Sequence, residues 1–216
     1  MNAPLLLEGA RQFGIELDHM AVERFDCYLS ELKRWNRKIN LTSIVQDDQI
    51  IAKHFLDSLS IVPFINQGCS LLDVGSGAGL PCLAIAIVRD DLAITSLEAV
   101  GKKAGFQRHI CRMLKLDHVT VMHERLERLM DQPSRRYDLI TSRAFSDIVK
   151  FIRASAGLLL PGGRLVAMTA GGHGLLSSEL SKACAMHGLE HQQSYHYELP
   201  RGMGGRDLVL LGRKTT

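Results

Sequence analysis

The sequence predicts an α/β fold: a doubly wound sheet, mainly parallel with an antiparallel C-terminal strand, preceded by an N-terminal helical segment. Three observations carry this. A short apolar run ends on Asp73, Gly75, Gly77 and Gly79 follow at every second position, and residues 80–88 are apolar, which reads as strand, tight turn and helix. Beyond that turn, strand-like runs alternate with runs of helical period as far as Met168. Two final strand-like runs, 192–199 and 207–213, are joined by the glycine-rich loop 200–206 with no helix between them.

The totals bound the reading. With 216 residues, 46% of them hydrophobic and 23% charged, the chain fits one α/β domain plus a small helical addition, divided as 1–62 and 63–216. A net charge of +3 is compatible with an anionic partner without requiring one. Five cysteines, at 27, 69, 82, 111 and 184, form no Cys-x-x-Cys pair, which argues for a reducing compartment and against a zinc knuckle or a disulfide framework. His187, His191 and His196 lack carboxylate or thiol company at ligand spacing, so they read as a helix-end cluster and no metal is expected. The N-terminus has no basic leader pattern, and no apolar run approaches the roughly 20 residues that span a bilayer, so a soluble, cytoplasmic protein without a membrane partner is expected.

In chain order, residues 18–36 place Phe25, Leu29, Leu32 and Trp35 at helical spacing, with Asp18 as the N-cap. The end of this helix carries Lys33, Arg34, Arg37 and Lys38 around the only tryptophan. Two readings stand: a phosphate-facing patch with a stacking ring, or basic residues that complement a helix C-terminus with Trp35 in the core. A second helix, 47–59, contains His54-Phe-Leu-Asp-Ser58, whose His54 and Ser58 share a face beside Asp57. Nothing nearby resembles a nucleophile elbow, so these residues close a helix over a cleft or bond within the packing.

Strand 93–97 ends at Glu98, where doubly wound folds place the acid that accepts from ribose hydroxyls of a nucleoside cofactor. A basic helix spans 102–116, a strand 119–122, and a strand 137–141 that ends in Ser142-Arg143-Ala144 at the carboxyl edge of the sheet. Helix 147–159, strand 164–168 and helix 175–187 follow.

The glycine spacing discriminates between cofactors. A dinucleotide fingerprint beginning at Gly75 needs its third glycine at 80, where Leu80 stands, so an NAD enzyme is disfavoured. Asp73-x-Gly-x-Gly-x-Gly79 instead resembles the cofactor loop of class I S-adenosylmethionine-dependent methyltransferases. The Asn/Asp-Pro-Pro-Tyr box of exocyclic amine methylation is absent after the fourth strand, and Cys82 reads as packing rather than as a nucleophile.

A more specific resemblance spans nearly the whole chain. Trp35-Asn36 with Asn40-Leu-Thr42, then His54-Phe-Leu-Asp-Ser58, Asp73-Val-Gly-Ser-Gly-Ala-Gly-Leu-Pro81, residues 97–102, Ser142-Arg-Ala144 and Gly205-Arg-Asp-Leu208 resemble the bacterial 16S ribosomal RNA guanine-N7 methyltransferase family, also called glucose-inhibited division protein B. The resemblance implies transfer of a methyl group from S-adenosylmethionine to a guanine in the decoding-region loop of 16S rRNA, as free RNA or in a small-subunit particle; a monomer is expected.

It also implies cofactor contacts at Gly75, Leu80, Leu126, Glu127 and Arg143, beside Asp73, Gly77, Gly79 and Glu98. Arg143 is placed to orient the methionine carboxylate, guide a phosphate or bond guanine O6, and Arg206 to position RNA at the reacting centre. Arg34, Arg37, Lys38 and Arg125 complete the expected RNA face, with a surface ion pair as the plain alternative for Arg125. The sequence departs from the family at Ala78, Glu98 and Thr169-Ala170-Gly171, the last replacing a usual Lys-Gly. An rRNA-binding assembly factor that keeps the pocket, or a small-molecule methyltransferase of the same fold, would share most of these features.

Overall fold

The computed structural model describes residues 1–132, 134–143, 147–170 and 178–213. Ala144, Gly171 and residues 175–177 of the expected helix 175–187 lie outside them.

Helical pieces open the chain. Helix α1 (Ala3–Arg11) was not foreseen by periodicity; Asn2 caps it by accepting from Leu5 N–H, and a proline sits in its first turn, where a missing N–H costs nothing. Helix α2 (His19–Asn36) begins at the expected cap, with Asp18 accepting from Ala21 N–H at 2.7 Å. The expected helix 47–59 forms in three parts: α3 (Asp47–Ile50), a π-helical stretch Ile51–Leu56, and α4 (Asp57–Leu59).

The sheet comprises β1 (Ser70–Val74), β2 (Ala93–Glu98), β3 (Val119–His123), β4 (Tyr137–Ser142), β5 (Leu159–Ala170), β6 (Leu189–Glu198) and β7 (Gly205–Arg213), in the order β3-β2-β1-β4-β5-β7-β6. The pairs among β1 to β5 are parallel, and β7 runs antiparallel to both β5 and β6. Crossover helices are α5 (Cys82–Val88), α6 (Gly101–Leu114), α7 (Leu126–Met130), α8 (Ile148–Ser155) and α9 (Ser178–Met186). Helix α5 starts two residues later than expected because Pro81 disfavours helical geometry at Leu80. Helix α8 ends four residues earlier than expected, since β5 begins at Leu159 and carries Pro161-Gly-Gly163 within it.

Alternation along the strands sorts the core into two faces. Leu71, Ile94, Leu139, Val166 and Leu208 join one cluster with α1 to α6, while Leu72, Leu97, Ile140, Leu165 and Val209 join the other with α7 to α9. Strand order reverses between β1 and β4, so the crevice beyond their carboxyl ends is the natural ligand site of such a sheet. Among the described residues, no helix is long and apolar enough to cross a membrane.

Candidate active site

The glycine turn after β1 fills that crevice. Gly75, Gly77 and Gly79 all take positive φ, at 72°, 59° and 90°, a region that residues with a Cβ avoid. Three side chains from different elements hold the turn. Tyr28 on α2 donates to Ala78 O at 2.6 Å, Gln107 on α6 donates to Gly77 O at 2.9 Å, and Glu98 at the end of β2 accepts from Gly77 N–H at 2.8 Å. The second oxygen of Glu98 accepts from Val100 N–H at 2.7 Å, so this acid is a buried brace of the loop, with one lone pair left on each oxygen.

Asp73 lies fully buried beneath the turn. Its Oδ2 accepts from Cys82 N–H at 3.1 Å, and burial pushes its carboxyl up to about 6. Among the described residues its Oδ1 accepts no hydrogen bond, leaving an unused acceptor under the glycines. Cys82 is also fully buried, and burial raises its thiol pKa well above the ordinary range, which suits packing and not nucleophilic chemistry.

Three chambers run along the crevice. The first, about 250 Å³, is walled by Val74, Gly75, Leu97, Ala99 and residues 124–127. The second, about 280 Å³, takes Gly75 to Ala78, Leu80, Leu41 to Ser43, His54 and Arg143. They meet at Gly75. Apolar walls at one end and backbone amides with a guanidinium at the other suit a nucleoside joined to an amino-acid tail, so the residues present fit S-adenosylmethionine. The third chamber, about 240 Å³, shares His54 and Arg143 with the second and adds Lys53, Asp57, Met168, Thr169, Ala170 and Arg206.

Arg143 joins the last two chambers. Its Nη1 donates to Lys53 O at 3.3 Å, His54 O at 3.5 Å and Asp57 Oδ2 at 3.2 Å, so it clasps the end of β4 to the π-helical stretch. A π-turn bonds i to i+5 and offsets the carbonyl ladder, a distortion frequent at functional sites. Asp57 also accepts from the Tyr197 hydroxyl at 2.8 Å and stands 3.5 Å from Arg206 Nε.

His54 is buried, and burial with the Arg143 charge lowers its pKa to about 4, so the ring is neutral at pH 7. A ring that donates Nδ1–H to Lys53 O at 3.1 Å accepts at Nε2 from the Thr42 hydroxyl at 2.8 Å. Asn36 in turn fixes Thr42: its carbonyl accepts from Leu41 and Thr42 N–H, and its amide donates to Thr42 O. The Asn36 and Asn40-Leu-Thr42 motif is thus a clasp that presents one hydroxyl to one imidazole.

The expected RNA face is divided. Arg34 pairs with Glu31, which also bonds His109, and Trp35 packs at ring distances of 5.5 Å from Phe106 and 5.1 Å from His109, so its indole is a packing element. Arg37, Lys38 and Arg125 are exposed, and their side chains make no hydrogen bond or ion pair among the described residues. Arg125 borders the first chamber beside Leu126 and Glu127; Arg206 borders the third. The histidine cluster is corrected: His187 follows the end of α9, but His191 stands on β6, which starts at Leu189 and so earlier than its polar sequence suggested, and His196, within the expected strand, bonds Asp207 at 2.7 Å. Tyr28, Gln107 and Tyr197 were missed; a tyrosine on the apolar stripe of α2 was the available sign, since a buried phenol needs a partner.

Comparison with known proteins agrees with this geometry. A family profile described as "GidB: rRNA small subunit methyltransferase G" matches residues 21–201. The Ribosomal RNA small subunit methyltransferase G of Geobacter metallireducens is 43% identical over 211 residues, 97% of this chain and 96% of that one. In fold, the chain is similar to the ribosomal protein L11 methylase of Lactobacillus delbrueckii subsp. bulgaricus (TM-score 0.57, 13% identity, 75% and 79% of the two chains covered). It is also similar to TYW2 of M. jannaschii in complex with AdoMet (TM-score 0.54, 13% identity, 68% of each).

The sheet order, glycine turn and paired chambers are those of a class I S-adenosylmethionine-dependent methyltransferase. More narrowly, the chain belongs to the rRNA small subunit methyltransferase G family.

Proposed function

We propose that this chain methylates N7 of a guanine in the decoding-region loop of 16S rRNA, in the cytoplasm, on free RNA or on a small-subunit particle. The observation that carries the reading is the meeting of the cofactor crevice with a cation-lined chamber at Arg143. Bound S-adenosylmethionine supplies a methyl group on an electrophilic sulfonium. Guanine N7 has an in-plane lone pair and no proton to lose, so the protein has to supply alignment rather than a base or a metal. His54 fits that demand poorly as a base, being buried and committed to Thr42 and Lys53, and well as a fixed wall.

In this reading Leu126 and Glu127 frame the adenine and the spare lone pairs of Glu98 accept from the ribose. Gly75, Gly77, Gly79 and Leu80, over Asp73, seat the methionine end, which Arg143 faces. Arg206 stands at the reacting centre, and Arg37, Lys38 and Arg125 meet RNA phosphates, with Arg34 supplying less because Glu31 shares its charge. Residues 1–62 form a helical segment that closes the crevice of the core, 63–216. One chain lines all three chambers, so a monomer suffices.

The test incubates purified protein with radiolabelled S-adenosylmethionine and either naked 16S rRNA or small subunits lacking the modification. One labelled guanine, mapped by cleavage specific for N7-methylguanosine, is the expected result. No transfer to RNA or particle overturns the reading; transfer only to small molecules replaces it.

A further inference from the structure

Asp57 is a buried carboxylate, 6% exposed, that the methyl-transfer chemistry does not use. Three segments distant in sequence converge on it. Its Oδ2 accepts from Arg143 Nη1 at 3.2 Å at the end of β4, and its Oδ1 lies 3.5 Å from Arg206 Nε at the start of β7. Tyr197 on β6 donates its hydroxyl to the same Oδ1 at 2.8 Å, and Ser60 Oγ stands 2.8 Å from that phenol oxygen. The carboxylate therefore cannot turn without losing partners on both oxygens.

The two arginines are used differently. Arg143 donates inward, to Lys53 O, His54 O and Asp57. Arg206 donates Nη1 to Gly205 O and holds Nε at an ion-pair distance of 3.5 Å from Asp57 Oδ1, while its Nη2 makes no hydrogen bond among the described residues. Lys53 lines the same chamber. Two guanidiniums and one carboxylate leave a net positive charge there, to which Lys53 adds.

We propose that Asp57 is a positioning residue for substrate RNA: locked by Arg143 and Tyr197, it aims Arg206, beside Lys53, at one phosphate next to the target guanine. This rests on the function proposed above and assigns the third chamber to a phosphate. Without Asp57 the two guanidiniums repel and Arg206 loses the anchor that fixes its direction.

The sign of one measurement separates this from simple electrostatics. D57N removes a negative charge, so Coulomb attraction alone tightens RNA binding. Positioning predicts the reverse. The probe is a fluorescein-labelled oligoribonucleotide carrying the decoding-region loop sequence, titrated at several salt concentrations. Expected are an affinity loss of about fivefold or more in D57N, and a salt dependence shallower by about 0.7, the loss of one single-strand phosphate contact. Y197F keeps every charge and is expected to lose affinity by about twofold, a weaker form of the same effect. In an R206A background neither substitution has anything left to misdirect, so the affinity losses vanish and D57N keeps only the Coulomb gain.

In Y197F, which removes a bond to Asp57 Oδ1 and leaves the Arg143 pair on Oδ2 in place, affinity for S-adenosylhomocysteine, measured by calorimetry, is expected to stay within about twofold of wild type. Unchanged or tighter RNA binding by D57N overturns the proposal, as does a loss that persists undiminished with R206A. Should D57N fail to fold, Y197F with and without R206A decides by the same criteria. Wild-type protein that neither binds nor methylates the RNA overturns the proposed function along with this one; wild-type methylation with normal RNA binding by the variants overturns this one alone.

Discussion

The hydroxyl of Tyr28, on a helix that precedes the sheet, donates at 2.6 Å to the carbonyl of Ala78 inside the glycine turn. Tyr28 is fully buried, so the bond has no water to replace it. It ties the conformation of the cofactor loop to the seating of α2. Tyr28→Phe leaves Ala78 O without its partner, an expected cost of about 1–3 kcal/mol. Urea unfolding reads the stability loss, and calorimetry with S-adenosylmethionine is expected to show weaker binding. Cofactor affinity equal to wild type would show that the turn holds its shape without α2.

Gly79 combines a left-handed backbone with a lack of room. A Cβ there would lie 2.4 Å from Leu83 Cδ1, 2.7 Å from Leu83 Cγ and 3.1 Å from Tyr28 Oη, all in the buried core. Gly79→Ala is expected to cost about 1–2 kcal/mol in backbone strain and about 1–3 kcal/mol in overpacking. A fall in melting temperature together with loss of cofactor binding is the predicted pair of readouts.

Glu98 braces the turn with both oxygens, on Gly77 N–H and Val100 N–H. Glu98→Gln turns an amide N–H₂ toward one of those donors and leaves it unpaired, so cofactor affinity is expected to fall about tenfold, at roughly 1.4 kcal/mol. Equal affinity for S-adenosylmethionine in the variant would remove the brace from the site.

His54 gives the fold an acid sensitivity. Its folded pKa, about 4, lies below its ordinary value of 6.5. Above pH 6.5 both folded and unfolded rings are neutral and the group contributes no pH dependence. Between 6.5 and 4 the unfolded chain takes up the proton that the native ring refuses, so stability falls as pH falls, by about 3 kcal/mol in all. Unfolding free energies at pH 7.5 and 4.5 are expected to differ less in His54→Gln than in wild type. Asp73, with its carboxyl raised to about 6, shifts stability in the opposite direction over part of this range. It is present in both proteins and cancels in the comparison.

The parallel sheet, its glycine turn and the acid after β2 were legible because each is a local pattern: apolar alternation, glycines where φ is positive, and a fixed distance along the chain. The Asp57 cluster was not. Asp57 meets Arg143, Tyr197 and Arg206 only once β4, β6 and β7 are assembled, and no spacing in the sequence records that meeting. Trp35 and Arg34 show an ambiguity that sequence leaves open. A basic run around an aromatic residue fits an RNA surface or a helix end over the core, and only the assembled packing sets the Trp35 ring against Phe106 and His109 and pairs Arg34 with Glu31. Helix boundaries moved where proline or a longer strand intervened, at Pro81 and Leu159.

The π-helical stretch Ile51–Leu56 amounts to one residue more than an ordinary helix of the same rise would hold. Each residue turns a helix by roughly 100°, so that surplus sets the compass bearing of everything after it. Removing a single apolar residue from 51–56 would leave composition and hydropathy almost untouched, and would swing Asp57 away from both arginines. A one-codon deletion there is thus a rotation rather than a truncation.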